Sequence, residues 1–559
     1  MKPKGIPILV LLLVSGIAFF FRLGAVGLFD VDEAVFSEAT REMIQSGDWV
    51  TPHYNEENRY DKPILIYWLM SASYKVFGVN EWGARIPSAV AGLALLILVY
   101  TGAGWALGSG RAGLLSALML GTSLEIVYLG RAAVADMVLV LFICGSVFSF
   151  FRAFQEGGER KRKWYWIGWS ASALAVLTKG PVGVFIPALA LVPFLLATGR
   201  LKREVQAPGF WSGLGLFGLI TVPWYGAQLV INGGEFVQAF FIKHHLQRYF
   251  GEVSGHRGPV YLFLLVTLIG FYPWSGFLPG AWWRAIPRTR RELKESSRGQ
   301  QFLFLCAVWF AGGLVFFSFS GTKLPNYMAP MFPAAAALVG SLWEEYFQGW
   351  HRGSGWTKFH WGLVSFLCLV FALIFFLMPY GVKLLEVRAG QDPFLREVLI
   401  NPPRLGLVPF LVGSALLLGG VAGIWFQRRP GVSLTALSAS MLALILGIVL
   451  FFLPMVDFYV QKPLRILALE AGQQLGKEET LAVLDVNNRP SVVFYSRHPI
   501  VRLESVEKAR ALLRAGRHTL LITKVTRLPE LLSGGVGQIQ QQKGGYALVT
   551  TDPEPEGKR

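Results

Sequence analysis

The run FDVDEAVFSEATREMIQSGDWVTPHYNEENRYDKP, from Phe29 to Pro63, is the most charge-dense segment near the N-terminus. It lies between two strongly apolar segments, Ile6 to Leu23 and Ile86 to Leu107. A charged loop between two segments of membrane-spanning length is expected to face water beside a bilayer. Acids open the loop and Asp61-Lys62-Pro63 closes it, so it offers both a base and a cation for chemistry at the membrane surface.

The composition is that of an integral membrane protein. Of the 559 residues, 53% are hydrophobic and only 16% are charged, which is too apolar for a soluble protein of this size. The apolar runs predict about thirteen membrane-spanning helices, since each is near the length that a bilayer requires. The expected fold of residues 1–455 is therefore an all-α polytopic membrane bundle and not a barrel.

The formal charge of +17 is distributed unevenly among the loops. Basic clusters fall in every second loop, at residues 160–163, 200–203, 284–294, 352–358 and 428–429. This alternation follows the positive-inside rule and predicts a cytoplasmic N-terminus and, with an odd number of spans, a C-terminus outside. The charge thus indicates the topology of a membrane protein and not a nucleic-acid partner.

Two short helices are predicted inside the first loop, residues 25–85. Asp30 or Asp32 can cap a helix that Gly47 ends in a left-handed conformation. Pro63 is suited to the start of a second, aromatic-rich helix that Gly78 ends. Tyrosine and tryptophan at this density favour a helix that lies at the membrane interface.

Residues 456–559 have a different composition. Short β-like runs alternate with helical stretches such as VEKARALLRA, from Val506 to Ala515; the runs are LAVLDV (481–486), IVRL (500–503), HTLLITK (518–524) and YALVTT (546–551). This alternation predicts a small C-terminal α/β domain, which the topology places on the outer side of the membrane. It has no Gly-rich phosphate loop and no recognisable catalytic cluster.

Asp30, Asp32 and Glu33 are the candidate catalytic residues. A helix cap with favourable helix-dipole charges would explain some of these acids. Three carboxylates in four positions exceed what a cap needs, and neighbouring carboxylates raise one another's pKa, which suits a general base. Asp32 is the central candidate because it lies where the chain turns from the membrane span to the helix.

Lys62 and Arg248 are candidate phosphate-binding residues. Lys62 precedes a helix that starts with proline, so a cation and unpaired backbone amides come together; a snorkelling lysine is the alternative. Arg248, in KHHLQRYF, can bind phosphate with two hydrogen bonds. His245 and Asp61 are the candidate ligands of a divalent metal cofactor, and polar surface is the alternative for the histidine.

Further polar residues lie at the ends of the predicted spans. Arg131 and Asp136 flank the third and fourth spans, Lys179 lies in LTKGP, and TKLPNYMAP places Lys323 and Tyr327 at the tenth. Ionisable groups at membrane depth are costly and indicate function. Each could anchor a helix end, but their common location on the outer face favours substrate binding.

The motifs FDVDEAVFSEATREMIQSGDWVTPHYN, YDKPILIYW, LTKG and TKLPNYMAP resemble those of bacterial lipid A 4-amino-4-deoxy-L-arabinose transferases and dolichyl-phosphate-mannose protein mannosyltransferases. These are glycosyltransferases of the GT-C type, and the resemblance covers residues 25–335. It implies inverting transfer of a sugar from a polyprenyl (undecaprenyl) monophosphate donor on the periplasmic face, without a nucleotide.

The resemblance also implies roles for single residues. Asp32 corresponds to the catalytic first-loop acid, and Lys62, Arg248 and Tyr327 correspond to contacts of the donor phosphate. Asp136 and Lys179 correspond to further residues of the cavity. The family commonly has glutamate before the Lys-Pro pair, where this chain has Asp61.

Lipid A or another envelope molecule is the expected acceptor, and three alternatives remain open. Transfer to serine or threonine hydroxyls of proteins would require a general base, because a hydroxyl is a poor nucleophile. A transporter of lipid-linked sugars would need a polar path through the midplane. A non-catalytic envelope scaffold would tolerate the loss of Asp32.

Overall fold

The computed structural model describes residues 5–247, 251, 258–349, 355–476, 479–515, 519–533 and 535–551. These residues form a helical bundle, with a five-stranded sheet near the C-terminus. The predicted all-α membrane bundle with a small C-terminal α/β element is therefore confirmed. We call residues 457–551 the C-terminal unit and residues 25–85 the first loop.

The α-helices of the described residues are labelled in chain order. They are α1 Gly5–Ser15, α2 Asp32–Ser46, α3 Leu65–Phe77, α4 Glu81–Leu107, α5 Gly110–Gly121, α6 Leu124–Arg131, α7 Asp136–Gln155, α8 Gly158–Lys179, α9 Val182–Thr198, α10 Leu201–Val205, α11 Pro208–Phe236, α12 Leu262–Gly270, α13 Leu278–Ala285, α14 Arg290–Glu295, α15 Arg298–Ser318, α16 Phe332–Phe347, α17 Gly355–Ala389, α18 Pro393–Val398, α19 Val408–Trp425, α20 Pro430–Gly447, α21 Leu453–Val456, α22 Lys462–Gln474, α23 Ser491–Ser496, α24 Val506–Arg514 and α25 Leu528–Leu532. Tighter or wider helical turns add Gly16–Phe20, Val237–Gln247, Trp274–Phe277, Pro325–Met331, Ile448–Phe452, Asp457–Gln461 and Val525–Arg527.

Seven helices of the described residues are long and apolar enough to cross a membrane, or up to nine if each of two bent pairs forms one span. The bent pairs are α5 with α6, and α12 with the helix from Trp274 to Ala285. The other predicted spans also coincide with helices, namely Gly5–Phe20, α8, α9 and α16. The chain is an integral membrane protein, and the number thirteen stays a prediction.

The two predicted helices of the first loop are present as α2 and α3. Gly47 ends α2 with φ 72°, and Gly78 ends α3 with φ 80°, both in the region that glycine tolerates best. A short hairpin, β1 His53–Tyr54 with β2 Glu57–Asn58, joins the helices. The predicted aspartate cap is wrong: Val31 occupies the capping position, and no side chain caps the helix.

The sheet of the C-terminal unit has the strand order β4-β3-β5-β7-β6. Its strands are β3 Thr480–Leu484, β4 Ile500–Leu503, β5 Thr519–Lys524, β6 Gln538–Lys543 and β7 Tyr546–Thr550. Strand β3 is parallel to both β4 and β5, whereas β7 is antiparallel to both β5 and β6. Four of the five strands coincide with predicted strands. The sequence did not indicate β6, because QIQQQK is an exposed polar edge strand without an apolar face.

The two faces of this sheet bury different sets of residues. Leu481 and Val483 of β3 belong to the core that continues into the helical bundle, whereas Ala482 and Leu484 belong to a small separate core beneath α24. This division follows from the period of two residues in a strand. One face of the C-terminal unit is thus packed into the same core as the first loop.

Candidate active site

Glu33 is the most firmly held of the three first-loop acids. Arg85 donates to it from Nε at 2.9 Å and from Nη2 at 2.8 Å, and the backbone N–H groups of Phe29 and Ala133 donate at 2.8 and 2.7 Å. Burial raises the pKa of Glu33, but the Arg85 guanidinium and the backbone donors more than offset burial and hold this pKa below its usual range. Glu33 therefore fastens the loop to α4 as a bound carboxylate.

Asp30 points into the C-terminal unit. The N–H and the hydroxyl of Ser491 donate to its two carboxylate oxygens at 2.8 and 2.6 Å, and Nη1 of Arg489 lies 3.6 Å from Oδ2. Its side chain is only 2% exposed. Burial raises the pKa of Asp30, and the bonds from Ser491 and the charge of Arg489 oppose this rise only in part.

Asp32 is the acid that remains open to solvent. It is the first residue of α2, and its carboxylate has no hydrogen bond or ion pair with any other described residue. It lines a cavity of about 380 Å³ together with Arg131, Tyr128 and apolar side chains such as Leu453. Of the three acids, Asp32 has the placement that a reacting group requires.

A basic cluster lies at the other end of the first loop. Arg59 donates from Nη2 to Asp61 Oδ2 at 2.6 Å and from Nε to the Tyr67 hydroxyl at 3.0 Å, and Nζ of Lys62 lies 3.5 Å from the same Asp61 oxygen. Burial lowers the pKa of Arg59, but Tyr67 and Asp61 hold it above its usual range. The charge of Asp32 also acts on Arg59. Two cations with one acid leave a net positive site close to the open carboxylate.

The basic cluster borders a second cavity of about 380 Å³, on the side of the loop toward the segment after α11. Arg59, Asp61, Tyr60 and Lys243 are among its lining residues. Lys243 contributes a cation from a different part of the chain, and Glu57 adds a second acid beside Asp61. The lining of this cavity therefore carries two cations and two acids.

Asp136, Lys179 and Tyr327 lie close together in the structure, and their assignment to a substrate site stays a prediction. Lys179 Nζ lies 2.5 Å from Asp136 Oδ1, and the side-chain amide of Asn326 donates to the same oxygen at 2.9 Å. The Lys179 ammonium also lies 5.8 Å from the centre of the Tyr327 ring. The start of α7, the end of α8 and the turn before α16 thus meet at one polar cluster.

Glu125 extends this cluster, and the sequence interpretation missed it. Glu125 is 8% exposed, and its Oε1 has no hydrogen-bond partner among the described residues. The side-chain oxygen of Asn326, Oδ1, is also buried and has no hydrogen-bond partner among the described residues. Tyr128, on the same helix α6 as Glu125, lines the cavity that Asp32 lines. Glu125 and Asn326 therefore each offer a buried acceptor without a partner among the described residues.

Arg131 and Lys323 are placed differently from the cluster. Arg131 lines the Asp32 cavity and donates to the backbone carbonyls of Ala18 and Phe21 at 3.2 and 3.0 Å. Lys323 is 8% exposed and donates to the Ser320 carbonyl at 2.5 Å. Arg131 keeps a position at a candidate site, whereas Lys323 stabilises its own loop.

The predicted metal ligands do not form a metal site among the described residues. Arg59 and Lys62 occupy the Asp61 carboxylate, and the described part of the chain contains no group of three or more His, Cys, Asp or Glu residues placed to hold an ion. The side chain of His245 and the whole of Arg248 lie outside the described residues. We therefore assign no step to a metal.

Of four site residues that the sequence interpretation missed, three carried a signal that could have found them. Arg59 lies in NRYDKP, next to the candidates, and Arg85 and Glu125 are ionisable residues beside or within apolar runs, which is a recognisable signal. Ser491 has no such signal, because its partner is 461 residues away.

The chain is similar to known proteins in sequence and in fold. Residues 61–226 match the family model described as dolichyl-phosphate-mannose-protein mannosyltransferase. The chain is 32% identical over 316 residues to an undecaprenyl phosphate-alpha-4-amino-4-deoxy-L-arabinose arabinosyl transferase of Erwinia tasmaniensis, covering 56% of this chain and 55% of that one. It is 32% identical to an uncharacterised protein of Aquifex aeolicus, covering 59% of this chain and 71% of the relative.

The fold is similar to that of a solved protein over nearly the whole chain. ArnT from Cupriavidus metallidurans, bound to undecaprenyl phosphate, superposes with a TM-score of 0.79 at 24% identity and covers 99% of both chains. The chain belongs to the GT-C glycosyltransferase family. The chain aligns with 55% to 63% of the length of the first curated relatives.

Proposed function

We propose that this protein transfers a sugar from an undecaprenyl monophosphate donor to a lipid A-type acceptor on the periplasmic face of the inner membrane, with inversion at the sugar. The observation that carries the proposal is the open carboxylate of Asp32, which lines one cavity and interacts electrostatically with Arg59, a cation that borders another. The curated relatives named as arabinosyl transferases and the solved ArnT bound to undecaprenyl phosphate support it.

The donor phosphate is assigned to the basic cluster. Lys62 and Arg59 lie at the end of the first loop, and the cluster carries more positive than negative charge. When the bond between the sugar and the phosphate breaks, the bonding electrons go to the departing phosphate oxygen. Cations already in place stabilise that charge without reorganising, which is the largest contribution that most such sites make.

Asp32 is assigned to the acceptor. The attacking acceptor oxygen forms the new bond to the anomeric carbon from the face opposite the phosphate. If the acceptor is a hydroxyl, Asp32 takes its proton; if it is an ionised lipid phosphate, Asp32 orients it and no proton moves. The apolar part of the cavity, including Leu124 and Leu453, suits the lipid portion of an amphipathic acceptor.

The polar cluster around Asp136 is assigned to the sugar. Glu125 Oε1 and Asn326 Oδ1 are acceptors that no described residue satisfies. An ammonium group has three donors and no acceptor, so an amino sugar complements these atoms better than a neutral one does. This favours the 4-amino-4-deoxy-L-arabinose that the curated relatives are named for.

The orientation in the membrane is part of the proposal. Helix α8 begins beside the basic residues 160–163 and ends at Lys179, and its 22 residues would extend about 33 Å at 1.5 Å per residue, near the thickness of a bilayer core. Basic residues favour the cytoplasm, which leaves Lys179, the first loop and the C-terminal unit in the periplasm. The chain is then divided into a membrane domain, 1–455, and a periplasmic domain, 456–559.

The test uses purified protein in nanodiscs with a panel of undecaprenyl phosphate sugars, including 4-amino-4-deoxy-L-arabinose and mannose, and crude envelope acceptors. Mass spectrometry follows the loss of each donor and the mass gained by each acceptor. We expect the wild type to consume the amino-sugar donor and Asp32→Asn to lose about 10²- to 10⁴-fold in rate. Glu56→Gln, an exposed acid of the same loop, is the matched control and should retain full turnover.

The outcomes separate the alternatives. Sugar recovered on protein hydroxyls would replace the lipid acceptor by a protein acceptor. Movement of a lipid-linked sugar across the bilayer without donor consumption would support a transporter. Equal turnover by Asp32→Asn and the wild type would contradict the role of Asp32.

A further inference from the structure

Residues from the far end of the chain surround the Asp30 carboxylate. Ser491 supplies two hydrogen bonds and Arg489 supplies a charge at 3.6 Å, as described above. The side-chain amide of Gln461 lies 2.9 Å from Asp30 Oδ2 in the orientation that satisfies both of its polar atoms. Because Asp30 is buried, these groups replace the water that would otherwise solvate it.

The same unit also holds the backbone just before Asp30. The N–H of Gly27 donates to Asp457 Oδ1 at 2.9 Å, and the N–H of Leu28 donates to the Tyr495 hydroxyl at 2.9 Å. The Tyr495 hydroxyl in turn donates to Glu81 Oε1 at 2.8 Å, at the start of α4. The C-terminal unit thus binds three of the four residues from Gly27 to Asp30.

Asp32 lies between two fastened points of the chain. Asp30 precedes it and is held by Ser491, and Glu33 follows it and is held by Arg85. The carboxylate of Asp32 has no partner of its own among the described residues, so neighbouring contacts determine its position. A displacement of about 1 Å at a reacting group can cost about 10²-fold in rate.

We propose that Ser491 and Tyr495 are positioning residues, through which the C-terminal unit sets the location of Asp32 in the cavity. This inference rests on the proposed function, since it assigns Asp32 to the reaction. It makes the C-terminal unit a working part of the active site, although neither Ser491 nor Tyr495 lines the cavity. The unit acts by fastening the loop and not by touching the substrate.

The experiment measures steady-state turnover of Ser491→Ala and Tyr495→Phe in the full-length protein, normalised to the folded, monodisperse fraction. Tyr495→Phe keeps the ring and removes only the hydroxyl that bonds Leu28 and Glu81. We expect kcat to fall about 10- to 100-fold in each variant, while KM for the donor changes less than about 3-fold, because the basic cluster is untouched. Ser491→Thr keeps a hydroxyl and should restore most of the lost kcat.

Ser505→Ala is the matched control. Ser505 is another serine at the start of a helix in the C-terminal unit, and it caps α24; its hydroxyl accepts the N–H of Lys508 and contacts no described residue of the first loop. Its removal should leave kcat unchanged. In an Asp30→Ala background, Ser491→Ala should cause no further loss, because both changes break the same contact.

Each result decides one question. Wild-type kcat in both Ser491→Ala and Tyr495→Phe, with an active parent protein, would overturn the positioning role and leave the proposed function standing. A parent protein that turns over no donor would instead contradict the proposed function. Equal losses in Ser505→Ala and Ser491→Ala would show general damage to the unit and would likewise overturn the inference.

Discussion

Asp30, Asp32 and Glu33 show how neighbouring carboxylates acquire different properties from their surroundings. Glu33 meets a guanidinium and two backbone donors, Asp30 meets a serine, and Asp32 meets solvent. Only the last combination leaves a carboxylate available to a substrate. Residue type and local spacing are similar for all three, so the partners that each finds make the difference.

Glu33→Gln should destabilise the protein strongly. It would leave the Arg85 guanidinium, only 3% exposed, without its counter-charge, which costs about 3–5 kcal/mol for a buried pair. Because the folded-state pKa of Glu33 is depressed, the stability of the pair is present above the unfolded-state pKa and is lost as the pH falls. Intrinsic fluorescence melting in detergent measures the effect, with Glu56→Gln as control. A wild-type melting temperature for Glu33→Gln would contradict the assigned role.

Lys62→Ala should reduce transfer while leaving the fold intact. The variant removes one cation of the basic cluster, so both donor binding and stabilisation of the departing phosphate weaken, by about 10²-fold or more in kcat/KM. Lys75→Ala provides the comparison, because Lys75 is an exposed lysine of the same loop that lies over the Trp49 ring. Donor consumption is the measured quantity. Parallel behaviour of the two variants would remove Lys62 from the site.

At the scale of elements, α2 carries Asp32, the proposed reacting carboxylate, at its start and a cluster of structural acids in its middle. Arg41 donates to Glu38 from Nε at 2.8 Å, and Glu42 accepts the backbone N–H groups of Asn55 and Glu56 at 2.7 and 3.2 Å. The cluster therefore attaches the hairpin to the helix. It also makes the attachment sensitive to pH.

Glu42 should make the first loop less stable as the pH rises through neutrality. Burial and the charge of Glu38 raise the pKa of Glu42 to about 7, against the opposing backbone donors. A raised folded-state pKa means that this contribution to stability is complete below the unfolded-state pKa and is lost as the pH rises through about 7. Melting temperatures from pH 5 to pH 8 should fall less in Glu42→Gln than in the wild type. Identical profiles would show that Glu42 does not titrate there.

At the scale of the whole molecule, the bundle places the first loop and the C-terminal unit at one end. The side chain of Asn55 and the backbone of Ile500 exchange hydrogen bonds of 3.2 and 2.7 Å, and the two regions share one hydrophobic core. Basic residues at the start of α8 lie far along that helix from Lys179. The basic residues 160–163 and the polar cluster at Lys179 therefore lie at opposite ends of α8.

Cysteine labelling in intact cells tests this arrangement. Glu56→Cys and Gln538→Cys should react with a membrane-impermeant maleimide added outside the inner membrane, whereas Lys163→Cys should react only after the membrane is opened. All three positions are exposed, and the native Cys144, Cys306 and Cys368 are buried, so the background is low. Labelling of Lys163→Cys from outside would reverse the proposed orientation.

Local patterns in the sequence were enough to predict the helical bundle, α2, α3, four strands of the C-terminal sheet and the family. Apolar runs, glycine stops and alternating strands depend on contacts between near neighbours, so they can be read from spacing. The same reasoning brought Asp136, Lys179 and Tyr327 forward as residues of one site, and the structure brings them together.

The different environments of the three acids depend on partners that are distant in the chain. Arg85 lies 52 residues from Glu33 and Ser491 lies 461 residues from Asp30, so no local pattern could distinguish these two carboxylates from Asp32. Sequence spacing specifies the local secondary structure, whereas the environment of a buried charge depends on every element that packs against it.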